Sequence, residues 1–165
     1  MAKDVRKTHL LDRSLVDKDS ELIKGLGTLD EANAFIGLAK VFARDELVKK
    51  YLEKIQMMIF KAGLELISDY RMSEKEYDEL LNIIQEFESI VKKPRNFILL
   101  EKNESSAFLS VARTVVRRAE REIVGLEKAG KVSLLLVEWL NKLSYLIYLM
   151  NLRELDEKYD TVNFE

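Results

Sequence analysis

The chain has 165 residues, a length that suits one domain spanning 1–165, and no cysteine, which excludes disulfides, thiolate metal sites and cysteine nucleophiles. Its single histidine, His9, excludes a His-rich zinc site and leaves a Ser-His-Asp triad only one place to stand. A net charge of -2 with 34% charged residues describes a balanced, soluble surface, so no nucleic-acid partner is expected. The N-terminus MAKDVRKTHLLDRS has no apolar targeting core, and no run approaches the roughly 20 apolar residues of a membrane span, so a cytoplasmic protein with no membrane partner is expected.

One proline and six glycines leave few breaks, and helical periodicity dominates from residue 28 onward. The first ~20 residues read as a polar, irregular flap or arm. Thr28-Leu29-Asp30-Glu31 matches a capping box, and Leu29, Ala32, Ile36 and Ala39 follow at helical spacing to about Ala43. Asp45 is the candidate cap of a second helix striped by Leu47, Tyr51, Ile55, Met58 and Ala62. The adjacent Met57-Met58 pair reads as core filler. Ser73 with Glu76 caps a third helix, which ends before Pro94. Residues 94–103 form a connection. A fourth helix runs from near Asn103–Ser105 to about Gly130, and Ser133 caps a fifth bearing Leu136, Leu140, Leu143, Ile147 and Met150. Strand signals are nearly absent, so an all-α bundle of five helices is predicted.

Helix four carries Phe108, Val111, Val115, Ala119 and Leu126 near one side, with Ser106, Ser110, Arg113, Arg117 and Glu120 gathered opposite. Asp30, Asn33 and Gly37 make a narrow polar line on helix one, and Asn141, Ser144, Tyr148 and Asn151 do so on helix five. Charged helix faces are usually just solvated. Here arginine rather than lysine occupies 113, 117, 118 and 121, which suits planar, bidentate contact to phosphate or carboxylate. Asn33 and Asn141 are mediocre helix formers, and Gly37 implies close approach by another chain or a ligand. The pattern fits a polyphosphate site, a subunit interface, or both. Trp139 reads as packing and His9 as chemically idle. No Walker-type phosphate loop and no E-x-x-H pair is present, which excludes a P-loop and a di-iron bundle.

These residues also resemble a known family. VARTVVRRAEREIVGL is similar to the signature helix of the PduO-type ATP:cob(I)alamin adenosyltransferases, roughly V-A-R-T-x-x-R-R-A-E-R. GLGTLDEANAFIGLA, KIQMMIFKAGLELI and VEWLNKLSYLIYLM resemble its Y-G-T-x-D-E-L-N-x-x-I-G, I-Q-x-x-L-F-x-x-G-x-x-L and Y-L-N-R-L-S-D-L-L-F segments, in the same order. The resemblance covers about residues 14–152. It implies a ferritin-like five-helix bundle assembling as a homotrimer, with the active site between subunits. It implies transfer of the 5′-deoxyadenosyl group of ATP, accompanied by Mg²⁺, to the cobalt of reduced cobalamin, with release of triphosphate. On it, Arg117, Arg113 and Asp30 are the catalytic set: Arg117 holds the ATP phosphates, and Arg113 pairs with Asp30 of the neighbouring subunit. Glu120 and Asn141 help hold the nucleotide and its Mg²⁺, Lys18 in Val16-Asp17-Lys18-Asp19 contacts ATP, and Phe97 faces the cobalamin. No metal-ligand set of the protein's own is implied.

Three segments depart from the family pattern. Its glycine-rich T-x-T-G-D-x-G-x-T-S loop is here Arg6-Lys7-Thr8-His9-Leu10-Leu11-Asp12-Arg13-Ser14. The P-G-G-S turn after Phe97 is Leu100-Glu101-Lys102-Asn103, and Tyr145 stands in place of Asp in L-S-D. The alternative reading is therefore a relative that binds nucleotide or cobalamin without turnover. A helical scaffold that keeps the polar pairs only for assembly is a third.

Overall fold

The structure is a computed structural model that describes residues 4–162. Five helices carry the fold: α1 (Glu21–Phe42), α2 (Glu46–Ile67), α3 (Glu74–Ile90), α4 (Glu104–Lys128) and α5 (Leu134–Leu155). In chain order the short strands are β1 (Lys7–His9), β2 (Leu15–Asp17), β3 (Ile98–Leu99) and β4 (Asp160–Thr161). Helix α4 lies between α1 and α5, with α2 packed on α1 and α3 on α5. The shared core includes Ile36, Leu52, Ile55, Phe87, Ile123, Leu140 and Trp139, all fully buried. Trp139 is thus the packing residue its position predicts.

Side-chain caps set the helix starts, since the first backbone N–H groups of a helix lack intrahelical partners. Asp45 accepts from the Leu47 and Val48 amides at 2.9 and 3.1 Å, and Ser133 from that of Leu136 at 3.2 Å. Ser73 and Glu76 form the reciprocal capping box, and Asn103 forms one with Ser106. Helix α1 departs from expectation. Ser20 is its cap, and Thr28 lies buried seven residues inside. Leu22 and Leu26 extend the apolar pattern upstream, and their packing overrides the cost of Gly25 and Gly27. Thr28 instead spans the α1–α4 seam, its hydroxyl 2.6 Å from Glu122 Oε2 and 3.0 Å from the Lys24 carbonyl. Beside it Arg118 pairs with Glu31.

The N-terminal segment is an antiparallel hairpin, not an irregular arm. Thr8 sits opposite Val16, and the Asp12 carboxylate accepts from the Ser14 amide at 2.8 Å. Arg13 takes a left-handed φ of 67°, an uncommon conformation for a residue with a Cβ. Ile98 and Leu99 pair with Thr161 and Asp160, which the short apolar run alone did not signal. Two apolar assignments also fail. Met57 is 63% exposed and Val111 39% exposed, because α2 and α4 bury faces rotated away from them. Gly37 is approached closely, but from within the chain: a Cβ there would lie 2.9 Å from the Gln56 amide nitrogen on α2.

Two buried carboxylates tie helix ends together through backbone amides. Glu65, 1% exposed, accepts from the Met72 and Ser133 amides at 2.7 Å each, joining α2 to the starts of α3 and α5. Glu154 accepts from Arg44 and Asp45 at the start of α2. Glu65→Ala orphans two donors and is expected to destabilise the fold by about 3 kcal/mol. At this chain length that corresponds to roughly 6–12 °C in the thermal midpoint at fixed protein concentration; a drop below about 2 °C contradicts the role.

Glu76 gives the fold an acid-sensitive joint. Burial raises its pKa, but bonds from the Tyr70 hydroxyl, Ser73 and Lys61 outweigh burial and hold it down at about 2. A folded pKa below the unfolded value of 4.5 stabilises the protein above about pH 4.5, and that contribution is lost as pH falls toward 2. Glu76→Gln should flatten the stability loss across that window in denaturant titrations; an unchanged acid limb contradicts it.

Candidate active site

The polar line of α4 faces α5. At its N-terminal end it is closed: Ser106 and Ser110 are buried, and the Asn151 amide donates to the Ser106 carbonyl at 3.0 Å and the Ser110 hydroxyl at 3.1 Å. One to two turns further on the seam opens. Arg113 and Arg117 of α4 with Asn141, Lys142, Tyr145 and Tyr148 of α5 line a pocket of about 330 Å³. Glu120 joins its edge, accepting from the Asn141 amide at 2.9 Å.

The charge balance is one-sided. Among the described residues neither Arg113 nor Arg117 makes an ion pair, whereas Arg118 is taken by Glu31 and Arg121 donates to the Arg117 carbonyl at 3.1 Å. The four arginines of the signature run therefore divide: 113 and 117 face the pocket, 118 and 121 serve the helices. The Arg113 Nε is buried and has no hydrogen-bond partner. A buried charged donor without a partner is costly. Lys142 adds a third cation to the wall.

Arg113 and Tyr148 also line a second pocket, of about 450 Å³, closed on its other side by Arg95, Asn96, Phe97 and Ile98. The two pockets share a wall, one cationic and one with an apolar flank. Burial raises the Tyr148 pKa, partly offset by the Arg113 charge.

Asp30 and Lys18 lie elsewhere. Asp30 lines a third pocket of about 640 Å³ between the hairpin residues Thr8 to Leu11, α1 and α2, with Asn33 and Phe60. The Asn33 Oδ1 is buried there without a partner. Lys18 is exposed just past β2, its amide bonded to the Arg6 carbonyl at 2.9 Å. The structure thus gathers Arg113, Arg117, Glu120 and Asn141, sets Phe97 in the adjoining pocket, and separates Asp30 and Lys18 from them. Lys142 escaped the sequence reading, and Tyr145 was noted there only as a departure from the family pattern, not as a residue of the site. Position 145 falls between Asn141 and Tyr148 of the polar line and could have been read with it, whereas a lysine such as Lys142 resembles any solvated face.

The fold is thus a five-helix bundle whose α4–α5 seam opens into a pocket walled by Arg113, Arg117 and Lys142, beside a second pocket that holds Phe97. The chain belongs to the cobalamin adenosyltransferase family, whose profile matches residues 2–154. It is 33% identical over 153 residues to a corrinoid adenosyltransferase PduO of Salmonella typhimurium, covering 88% of this chain and 46% of that protein. It is 33% identical over 138 residues to a corrinoid adenosyltransferase of Bacillus subtilis, covering 78% and 71%. The chain therefore spans about half the length of the Salmonella relative. The fold matches that of a variant PduO-type ATP:corrinoid adenosyltransferase from Lactobacillus reuteri complexed with cobalamin and ATP, with a TM-score of 0.84 at 23% identity, over 97% of this chain and 94% of that one.

Proposed function

We propose that this chain transfers the 5′-deoxyadenosyl group of ATP to the cobalt of cob(I)alamin, as a homotrimer with the site between subunits. The observation that carries the reading is the pair of uncompensated arginines, 113 and 117, sharing a wall with the pocket of Phe97. The reaction is a displacement: the cobalt electron pair forms the bond to C5′, the C5′–O5′ bond breaks, and triphosphate leaves with the electron pair of the broken bond. The corrinoid supplies the nucleophile, and the protein orients the reactants and excludes water. Arg117 holds the phosphates and stabilises the charge that grows on the leaving triphosphate. Glu120 and Asn141, already bonded to each other, hold the nucleotide. Phe97, 75% exposed at the mouth of its pocket, offers an aromatic face to the corrin. Lys18 contributes from the hairpin side, with Asp30 pairing Arg113 of the next subunit.

Magnesium fits as a passenger on the triphosphate. Mg²⁺ keeps most of its waters and takes one or two carboxylates plus phosphate oxygens. No group of three or more His, Cys, Asp or Glu that could hold a metal exists among the described residues, and Glu120, bonded to Asn141 of the arginine pocket, is the carboxylate that would reach such an ion. No helix among the described residues is long and apolar enough to cross a membrane.

The hairpin favours a second reading, nucleotide or cobalamin binding without turnover. Its Leu10 and Leu11 stand where an open glycine backbone would wrap phosphate. Calorimetric titration of MgATP, with the oligomer mass taken by light scattering, separates these. Saturable binding to a trimer supports the nucleotide site. A trimer that binds no MgATP removes the transferase reading and leaves corrinoid binding.

A further inference from the structure

We infer that Tyr145 is a positioning residue that latches the segment carrying Phe97 to α5, joining the cationic pocket to its neighbour; the inference rests on the proposed adenosyl transfer for its kinetic consequence only. Residues 91–97 leave the end of α3 and cross to β3. The far end of this crossing is fixed by the sheet: the Phe97 carbonyl accepts from the Val162 amide at 2.7 Å, and Ile98 and Leu99 pair with β4. The near end is fixed by three side chains from three different elements. The Tyr145 hydroxyl of α5 donates to Glu88 Oε1 of α3 at 2.6 Å. The Lys93 ammonium of the crossing donates to the Tyr145 hydroxyl at 3.0 Å and to the same Glu88 oxygen at 2.9 Å. It also lies 5.8 Å from the Tyr145 ring centroid.

Between the two anchors stand only Pro94, whose ring fixes φ, and Arg95, Asn96 and Phe97, which line the second pocket. The ring of Tyr145 meanwhile walls the Arg113–Arg117 pocket, and Tyr148, one turn on, belongs to both pockets. One side chain therefore shapes the anion pocket with its ring and holds the opposite wall of the corrin-facing pocket with its hydroxyl. The aspartate of the family pattern is too short to reach from α5 to α3 in this way. Consistent with the triad, the bonds from Tyr145 and Lys93 lower the Glu88 pKa, and bonds to Tyr145 and Glu88 raise that of Lys93.

The test is Tyr145→Phe, which keeps the ring and removes the latch, with Lys93→Met as its partner. Two readouts are taken on the full chain: hydrogen exchange of peptides covering 92–97, and steady-state kinetics with reduced cobalamin and MgATP. Loss of the shared hydrogen bonds is expected to speed exchange in 92–97 by about fivefold and to raise KM for the corrinoid by a similar factor. Exchange elsewhere should stay within about twofold in both variants, as should kcat and KM for ATP in Lys93→Met, and the double variant should slow the corrinoid step no further than Tyr145→Phe alone. Unchanged exchange in both variants overturns the latch. A fall in kcat or a rise in KM for ATP in Lys93→Met, in place of the corrinoid effect, overturns the positioning role. If the wild-type chain transfers no adenosyl group, the proposed function fails, and the exchange data still decide the latch.

Discussion

Replacing Arg117 with alanine is expected to weaken MgATP binding at least about 100-fold and to bring adenosyl transfer below about 1% of wild type, because a bidentate, charge-assisted contact to phosphate is lost at the point where charge develops. The oligomer and the thermal midpoint should not move. The Arg117 side chain is exposed and makes no ion pair among the described residues, so its removal orphans no partner within the chain. Arg117→Lys should recover part of the affinity and little of the rate, since lysine keeps the charge but not the planar fork. Calorimetry for binding and stopped-time assays for product read both. ATP affinity equal to wild type in Arg117→Ala removes this residue from the site.

The second large effect concerns Asp30 and Arg113. Within one chain they line different pockets, Asp30 beside the hairpin and Arg113 at the α4–α5 seam. Neither has an ion-pair partner among the described residues, and the Arg113 Nε is buried with its hydrogen-bonding capacity unused. In the proposed trimer the two meet across a subunit boundary, which would give each its partner. Asp30→Arg or Arg113→Asp alone leaves a charge uncompensated in that boundary, a loss of about 3–5 kcal/mol per contact. Each should shift the trimer toward smaller species in sedimentation and abolish transfer, and Asp30→Asn should do so more mildly. The double reversal should restore the trimer. Single variants that sediment and turn over as wild type contradict the pairing.

Much of the fold was legible because its signals are local. Asp45, Ser73, Asn103 and Ser133 cap helices through their own side chains, and the stripes of α2 and α5 have helical spacing. The failures are tertiary. Thr28 has the local chemistry of a cap, but Leu22 and Leu26 found partners that carried the helix through two glycines. The hairpin depends on pairing across a five-residue connection, and β3 on a strand some sixty residues away, neither of which leaves a periodic trace. Glu65 and Glu154 look like surface charges on their helices, and only the packing of distant backbone amides against them shows otherwise. The site divides in the same way. The Arg113–Arg117–Glu120 line is one helix and was visible at once. Asn141 was marked by the polar line of its own helix, but its bond to Glu120 needed the α4–α5 contact, and the Tyr145 latch needed three elements together.

The most direct measurement is the product ratio under anaerobic conditions: purified chain, reduced cobalamin and MgATP, followed by the absorbance of adenosylcobalamin and by the triphosphate released. The account predicts saturable turnover with one triphosphate per adenosylcobalamin formed, and its loss in Arg117→Ala. A trimer that binds MgATP and reduced cobalamin yet forms no carbon–cobalt bond contradicts it and leaves a binding protein on the same fold.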